Sequence, residues 1–197
     1  MPASRTGLTS HAVSARRRVF TDHTIESAPP ASRRLMAATE HHLGYLPAAT
    51  GRWAASPHLL DGFGKLSGLF ETSTLDPVAR EVVIMTVATR NGCHLCVAMH
   101  TARLSAMQAD EALIAALRAG PDEPLADPGL EAVRIFTLRV LDTAGDVPDD
   151  ELQAFLARGY TAQNALEVVL GIATYTLSTL ANRLTGAPVD AQLSQFA

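Results

Sequence analysis

The chain has 197 residues, of which 47% are hydrophobic, 18% charged and 5% aromatic, and its formal net charge at pH 7 is −4. This composition is typical of a globular protein with enough apolar material for a core, and it excludes an intrinsically disordered chain. A nucleic-acid-binding protein would need a basic face with aromatic side chains for stacking, and neither is present. No uninterrupted apolar run reaches the length of a bilayer-spanning helix, so no membrane role is expected.

Residues 1–30 are rich in Ser, Thr, Ala, Arg and Pro, lack sustained periodicity and close on Pro29-Pro30. We predict that they form a flexible N-terminal arm ahead of one helical domain over residues 31–197. The arm lacks the apolar core of a secretory signal. Its Arg-rich, acid-poor start fits a solvated bacterial tail or an organellar transit peptide, and the composition favours the tail. A C-x-x-C pair outside a secreted disulfide framework indicates a reducing, cytoplasmic location.

The rest of the chain predicts helices only, because alanine and leucine dominate and start and stop signals recur every ten to twenty residues. Asp76-Pro77 and Asp127-Pro128 each place a side-chain acceptor at the N-cap and proline at the first helical position. Asp149 or Asp150 is expected to cap a short helix, and Thr161 the last long one. The predicted helices cover about residues 32–44, 57–70, 78–89, 93–107, 109–119, 128–144, 150–157 and 161–184. With no convincing strand, the fold class is all-α, a helical bundle.

The chemical signal lies between Glu81 and His100. Glu81 is the one acidic residue in an apolar helix, and the next helix carries Cys93, Cys96 and His100. Cysteines at i and i+3 lie on one helix face, about 5–6 Å apart at Cβ, which allows a disulfide after a modest adjustment. His100 follows Cys96 by one turn and is a candidate base for a thiol. If the turn at 90–92 makes the two helices antiparallel, Glu81 can hold His100 in one tautomer.

The residues alone leave two questions open. The helix dipole favours a thiolate at the more N-terminal Cys93, whereas proximity to His100 favours Cys96 as the nucleophile. A buried ionised carboxylate needs a partner. For Glu81 that partner is either the histidine of a functional site or an arginine of a structural ion pair, with three candidates in Arg80, Arg90 and Arg103.

Other uses of the cysteines fit less well. A c-type haem motif needs histidine directly after the second cysteine, where this chain has Val97. Zinc would need both cysteines, His100 and either His94 or Glu81, yet one turn holds both thiols and no second C-x-x-C occurs. A thioredoxin-like fold would need a βαβ pattern around the motif, which is absent. We therefore expect no metal and no cofactor.

The pattern Glu81, eleven residues, Cys93, two residues, Cys96, three residues, His100 resembles the AhpD-like, carboxymuconolactone decarboxylase superfamily and its dithiol, peroxidase-like branch. The likeness extends more loosely over about residues 43–184. It implies an all-helical subunit that assembles into a homotrimer or homohexamer, with the site near subunit contacts. One departure is visible, because the better-studied peroxidases of this family have a histidine directly before the second cysteine.

The resemblance also implies a role for each residue of the pattern. Cys96 would be the thiol oxidised by a hydroperoxide, Cys93 the resolving thiol that closes the disulfide, and His100 with Glu81 a proton relay that activates Cys96. A dithiol donor, in some relatives a lipoyl adaptor, would restore the reduced form. Leu95 occupies the place of the relatives' histidine, while His94 lies one residue earlier, where we expect it to be exposed to solvent.

The expected function is therefore that of an antioxidant enzyme, a cofactor-free peroxidase that reduces hydroperoxides through a redox-active disulfide. Two alternatives stay open. One is a redox-responsive stress or binding protein with little turnover, and the other is a lyase or isomerase that uses Glu81 and His100 as acid and base. Lactone decarboxylases of the family lack the dithiol, so that activity is not expected.

Overall fold

The fold is all-helical, as the sequence predicts. The computed structural model describes residues 19–197, and this part of the chain contains no strand. Residues 1–18 of the predicted arm, with His11, lie outside the described residues. The complete helices are α1 Pro30–Leu43, α2 Ala48–Trp53, α3 Pro57–Glu71, α4 Pro77–Arg90, α5 His94–Ala106, α6 Glu111–Ala119, α7 Pro128–Asp142, α8 Asp149–Leu156 and α9 Ala162–Thr185, followed by the 3-10 helix Ala191–Phe196.

Every predicted helix is present, with ends within two residues of the expected ones. The sequence analysis missed α2, because its six residues, AATGRW, are too few for periodicity and include the weak helix formers Thr50 and Gly51. Gly51 has a packing reason, since a Cβ there would lie 2.9 Å from the carbonyl oxygen of His23. The final 3-10 helix was also missed.

Three predicted N-caps are confirmed and one is wrong. Oγ1 of Thr161 accepts a hydrogen bond from the N–H of Asn164 at 3.1 Å, at the start of α9. Asp76 accepts a hydrogen bond from the N–H of Val78, and Asp127 accepts two from the first turn of α7. The expected cap of α8 by Asp149 or Asp150 is not found, because Pro148 is the N-cap residue and makes no side-chain cap bond. Both carboxylates lie in the first turn instead, where the positive end of the helix dipole stabilises them.

The described residues divide into two compact units. The first comprises residues 19–61 and 181–188, and the second comprises residues 62–180 and 189–197. In the first unit Arg52 is buried; it pairs with Asp22 and donates to the carbonyl of Thr185, at the C-terminal end of α9. A guanidinium is a suitable partner for this helix end, where carbonyls lack intrahelical donors.

The second unit is built around α4, which packs against α5, α6 and α7. Nine of its fourteen residues are buried, as expected from its apolar sequence: Ala79, Glu81, Val82, Val83, Ile84, Met85, Thr86, Val87 and Ala88. A core helix with this composition leaves no water to solvate a charged side chain. The one carboxylate in it must therefore find its partners on neighbouring helices.

Helix α9 is the one helix among residues 19–197 that is long and apolar enough to cross a membrane, judged by length and composition alone. Its most apolar window has a mean hydropathy of 1.2, and 44% of that window is buried within the protein, as in an ordinary core helix. The sequence analysis did not single it out because Glu167 and several threonines interrupt its apolar residues.

Candidate active site

The turn between α4 and α5 brings the two halves of the motif together. The N–H of Gly92 donates to the carbonyl of Thr89 at 3.0 Å, and the N–H of Cys93 donates to that of Ala88 at 2.9 Å. These two bonds form a Schellman motif, in which the residue after the C-cap must be left-handed. Gly92 has a φ of 61° and meets that need without strain. The chain reverses in two residues, so α5 packs back against α4.

Cys93 is the N-cap residue of α5 rather than its first helical residue, which corrects the predicted start of the helix. Its Sγ accepts a hydrogen bond from the N–H of Cys96 at 3.4 Å, in the manner of an oxygen cap. The two sulfur atoms lie at disulfide-bonding distance, with Cα atoms 5.3 Å apart. Both cysteines are buried. The structure therefore places the predicted pair together, with Cys93 at the positive end of the helix dipole.

The carboxylate and the imidazole of the motif are also in contact. Oε2 of Glu81 lies 2.7 Å from Nδ1 of His100, and the Glu81 side chain is only 1% exposed. When the carboxylate is ionised, Nδ1 carries the proton and donates it to Oε2, which leaves the Nε2 lone pair free to accept another proton. This is the geometry that a histidine base requires.

Glu81 has a second partner, so both interpretations left open by the sequence apply. Its Oε1 lies 2.9 Å from Nε of Arg103, which also donates from Nη2 to Glu71 of α3. Burial disfavours the charged guanidinium, but the hydrogen bond to Glu71 and the charges of both glutamates outweigh it and raise the pKa of Arg103. A chain of charged groups thus runs from α3 through α5 to α4 and ends at His100.

Aromatic side chains surround the imidazole on its other side. The Tyr175 ring of α9 meets His100 edge to face, with centroids 5.4 Å apart and planes at 86°. Phe63 and Phe70 of α3 meet Tyr175 in the same way. Burial raises the pKa of Tyr175 to about 12, although a hydrogen bond with Ser67 opposes the shift. The phenol therefore stays neutral at physiological pH and adds no charge beside His100.

Asn182, also on α9, belongs to the first unit and is buried. His94 is exposed, as the sequence analysis expects, and so are His41, His42 and His58. Among residues 19–197, no cluster of three or more His, Cys, Asp or Glu side chains is placed to hold a metal ion.

The sequence analysis missed the joint role of Arg103 and Glu71. Arg103 was considered only as one of three arginines for a structural pair, yet it lies three residues after His100 and so shares its helix face. That spacing was a usable signal. Nothing local indicates Glu71, which is 32 positions away in the chain.

Comparison with known proteins gives one family match and several similar folds. Residues 57–139 match the carboxymuconolactone decarboxylase family. The fold is similar to that of an alkylhydroperoxidase AhpD core, an uncharacterised peroxidase-related protein from Ralstonia eutropha JMP134, with 18% identity over 88% of this chain and 93% of the other and a TM-score of 0.79. A peroxidase-related protein from Silicibacter sp. TM1040 gives 16% identity, 86% and 90% coverage and a TM-score of 0.72.

A third similar structure is the debrominase Bmp8, with 17% identity over 85% of this chain and 90% of the other and a TM-score of 0.67. No curated protein matches the chain by sequence. Fold and site together define an all-helical protein with a cysteine pair on one helix and a carboxylate-histidine pair beside it. The family match covers residues 57–139, and over most of the chain the fold is similar to that of AhpD-like structures.

Proposed function

We propose that this protein is a thiol-dependent hydroperoxide reductase whose chemistry is carried by Cys96, Cys93, His100 and Glu81. The observation that carries the proposal is the buried contact between Glu81 Oε2 and His100 Nδ1 at 2.7 Å, because it presents a histidine base one turn after a cysteine pair. A buried carboxylate in an apolar helix lowers stability, so its presence is better explained by a chemical role such as activating a thiol.

The reaction has three balanced steps. His100 takes the thiol proton of Cys96, and the thiolate attacks one oxygen of the hydroperoxide. The O–O bond breaks, the leaving oxygen takes up that proton and departs as an alcohol or water, and Cys96 becomes a sulfenic acid. Cys93 then attacks that sulfur, a disulfide forms and water leaves. A dithiol donor, of which a lipoyl group is one example, reduces the disulfide by thiol-disulfide exchange and is itself oxidised.

The division of labour between the sulfurs follows from two different arguments. Cys96 lies one turn before His100, and the family resemblance makes it the attacking thiol. The N–H of Cys96 donates to Sγ of Cys93 at 3.4 Å, which stabilises a thiolate on Cys93. A resolving thiol also needs to be deprotonated, so this contact suits Cys93 for the second step.

The test is consumption of hydrogen peroxide and cumene hydroperoxide with dihydrolipoamide as donor. Cys96→Ser should abolish turnover, while Cys93→Ser, treated with peroxide in the absence of the donor, should consume one equivalent and leave a sulfenic acid that dimedone labels on Cys96. His100→Ala should lower the rate by about 10²–10⁴-fold. His58→Ala, which changes an exposed histidine elsewhere, is the control and should have no effect.

Each competing function gives a different result. Undiminished peroxide turnover in Cys96→Ser would contradict the proposal. A wild-type protein that forms the Cys93–Cys96 disulfide with peroxide but shows no steady-state turnover would be a redox-responsive binding protein. Activity on a lactone or keto substrate that survives replacement of both cysteines would indicate a lyase or isomerase.

We further propose that the protein is a cytoplasmic homo-oligomer, a trimer or hexamer. Within the second unit, three apolar side chains of α9 are exposed, namely Leu166, Val169 and Leu180, and exposed apolar patches mark contact surfaces. A second copy of the chain is the occupant that the family resemblance implies. Light scattering after size exclusion should give three or six protomers, and Leu166→Glu with Leu180→Glu should lower the mass. Ala162→Glu, at an exposed position of the same helix, should leave it unchanged; a monomeric wild type would contradict the proposal.

A further inference from the structure

The carboxylate of Glu81 is held by two cationic or potentially cationic groups from one face of α5. His100 contacts Oε2 at 2.7 Å and Arg103 contacts Oε1 at 2.9 Å. The two residues are three positions apart, so they project from the same side of the helix. Glu81 itself is 1% exposed and has no access to bulk water. Its charge state therefore depends on these two neighbours.

The charge state of Glu81 decides which nitrogen of His100 carries the proton. An ionised carboxylate accepts a hydrogen bond from Nδ1–H, and Nε2 is then an unprotonated base. A neutral carboxyl group donates its own O–H to Nδ1 instead. The proton of the neutral imidazole then lies on Nε2, which has no lone pair left to accept a proton from a thiol.

We propose that Arg103 is a positioning residue that keeps Glu81 ionised and thereby selects the His100 tautomer in which Nε2 is the base. Arg103 acts through Glu81 and does not touch the sulfur atoms in this scheme. The inference deepens the proposed function, because it rests on that function for the role of His100 as base. The tautomer itself can be measured whether or not the protein turns over peroxide.

The Arg103 pair differs from an ordinary surface ion pair in one respect. Arg139 and Glu151 form such a pair between α7 and α8; Arg139 is 45% exposed, nearly the same as the 44% of Arg103, and Glu151 is 26% exposed. When that pair is broken, water solvates both partners, so the pair contributes little to the stability of the protein. Glu81 has no solvent to replace Arg103, and a buried carboxylate without a cation takes up a proton.

Glu71 supports the arrangement from α3. It accepts a hydrogen bond from Nη2 of Arg103, while Nε of the same guanidinium faces Glu81. The planar guanidinium is thus held at two of its nitrogens, a geometry that the single ammonium group of a lysine could not reproduce. Glu71 is half-buried and holds the guanidinium of Arg103 in place beside Glu81.

The remaining charged groups around α4 are engaged elsewhere. Tyr175 of α9 is the further titratable group that acts on this cluster, and burial keeps it neutral, with a pKa raised to about 12. Four charged residues of α6 and α7 pair with other groups. Arg118 donates to the carbonyl of Phe196, and Arg134 pairs with Glu131. Arg139 pairs with Glu151, and Asp142 pairs with Arg90. Within residues 19–197, the ion pairs of Glu81 are those with His100 and Arg103, so removing Arg103 leaves His100 as its partner.

The test combines a spectroscopic and a kinetic measurement on the full chain. Imidazole ¹⁵N shifts, assigned with His100→Gln, report the tautomer directly. In the wild type we expect the neutral imidazole of His100 to carry its proton on Nδ1. In Arg103→Gln we expect it on Nε2 near neutral pH, returning to Nδ1 only at higher pH. The acidic limb of the pH–rate profile should move up by about one pH unit or more.

The upward direction of the shift in the pH–rate profile follows from the negative charge of Glu81. The adjacent guanidinium of Arg103 favours the ionised carboxylate, so Arg103→Gln should need a higher pH than the wild type for full activity. Near pH 7 the rate should fall by about tenfold or more. Arg103→Lys, which keeps the charge but not the two-point contact, should restore part of the pH profile. Arg139→Gln, the control with matched exposure, should change neither the spectrum nor the profile.

Glu71→Gln provides a second variant should Arg103→Gln fail to fold, and it should shift the limb in the same direction by a smaller amount. An unchanged Nδ1–H tautomer in Arg103→Gln at every pH would overturn the inference, even with peroxide turnover intact. Absence of turnover in the wild type would count against the proposed function alone. The tautomer measurement would then still decide whether Arg103 controls Glu81.

Discussion

The same substitution, glycine to alanine, is expected to have opposite effects at two helical positions of this protein. Gly171 lies in the middle of α9, and a Cβ there would lie 2.6 Å from Cε2 and Cζ of Phe70 and 3.0 Å from Cγ1 of Val83. Phe70 and Val83 are fully buried and have no free space to move into. Gly68 lies in α3, is exposed, and has nothing within 4 Å of the same position.

The expected magnitudes follow from two opposing terms. Alanine gains about 0.5–1 kcal/mol over glycine in a helix interior, at either position. At Gly171 the overpacked methyl costs about 1–3 kcal/mol, because the Phe70 ring must be displaced. We expect Gly68→Ala to raise the free energy of unfolding by about 0.5–1 kcal/mol and Gly171→Ala to lower it by about 1–2 kcal/mol. For a chain of this size, the latter lowers Tm by about 2–8 °C.

Urea and thermal unfolding followed by circular dichroism at 222 nm would measure both variants. Gly171→Ala should also lower peroxide turnover, because Phe70 packs on Tyr175, which contacts His100. If Gly171→Ala is as stable as Gly68→Ala, Phe70 is not fixed by its surroundings. The packing argument for the aromatic side of the site would then be wrong.

Three further outcomes are expected. Burial raises the pKa of the Tyr175 phenol from 10.0 to about 12, so its contribution to stability is present below pH 10 and is lost as the pH rises towards 12. At about pH 11, the free energy of unfolding of the wild type should therefore have fallen by about 1.4 kcal/mol more than that of Tyr175→Phe, as measured by urea unfolding. Asp127→Ala, which removes two cap bonds from α7, should cost about 1 kcal/mol. Arg103→Leu alone should destabilise the protein by about 1–3 kcal/mol, because Glu81 is buried but Arg103 is partly exposed. The triple replacement of Glu81, His100 and Arg103 by leucine should unfold at nearly the wild-type urea concentration but show no turnover.

The parts of the site that the sequence predicts are those fixed by local geometry. The Asp76-Pro77 start of α4, the turn at Gly92 and the one-turn spacing from Cys96 to His100 each depend on residues adjacent in the chain. The contact between Glu81 and His100 was foreseen only on the condition that α4 and α5 pack together. The Schellman motif meets that condition, because it reverses the chain in two residues.

What the sequence does not predict depends on helices that meet from distant parts of the chain. Glu71 reaches Arg103 from α3, and Tyr175 reaches His100 from α9, and no periodicity within either helix indicates its partner. Cys93 was placed inside the helix because cysteine is not a usual N-cap residue. Its sulfur accepts the cap hydrogen bond that an oxygen usually accepts, and this contact is visible only in the structure.

The distribution of charge over the helices bears on why the cluster exists. One face of α5 carries the thiol, the imidazole and the guanidinium at Cys96, His100 and Arg103, while both carboxylates come from other helices. A buried ionic cluster is a poor source of stability, since well-packed apolar residues of similar volume often serve a core equally well. Breaking the cluster at one member is costly because the others are left without partners. If the leucine triple variant folds, the cluster contributes little to the fold, and the chemistry of the adjacent cysteine pair is the remaining reason for a buried acid on α4.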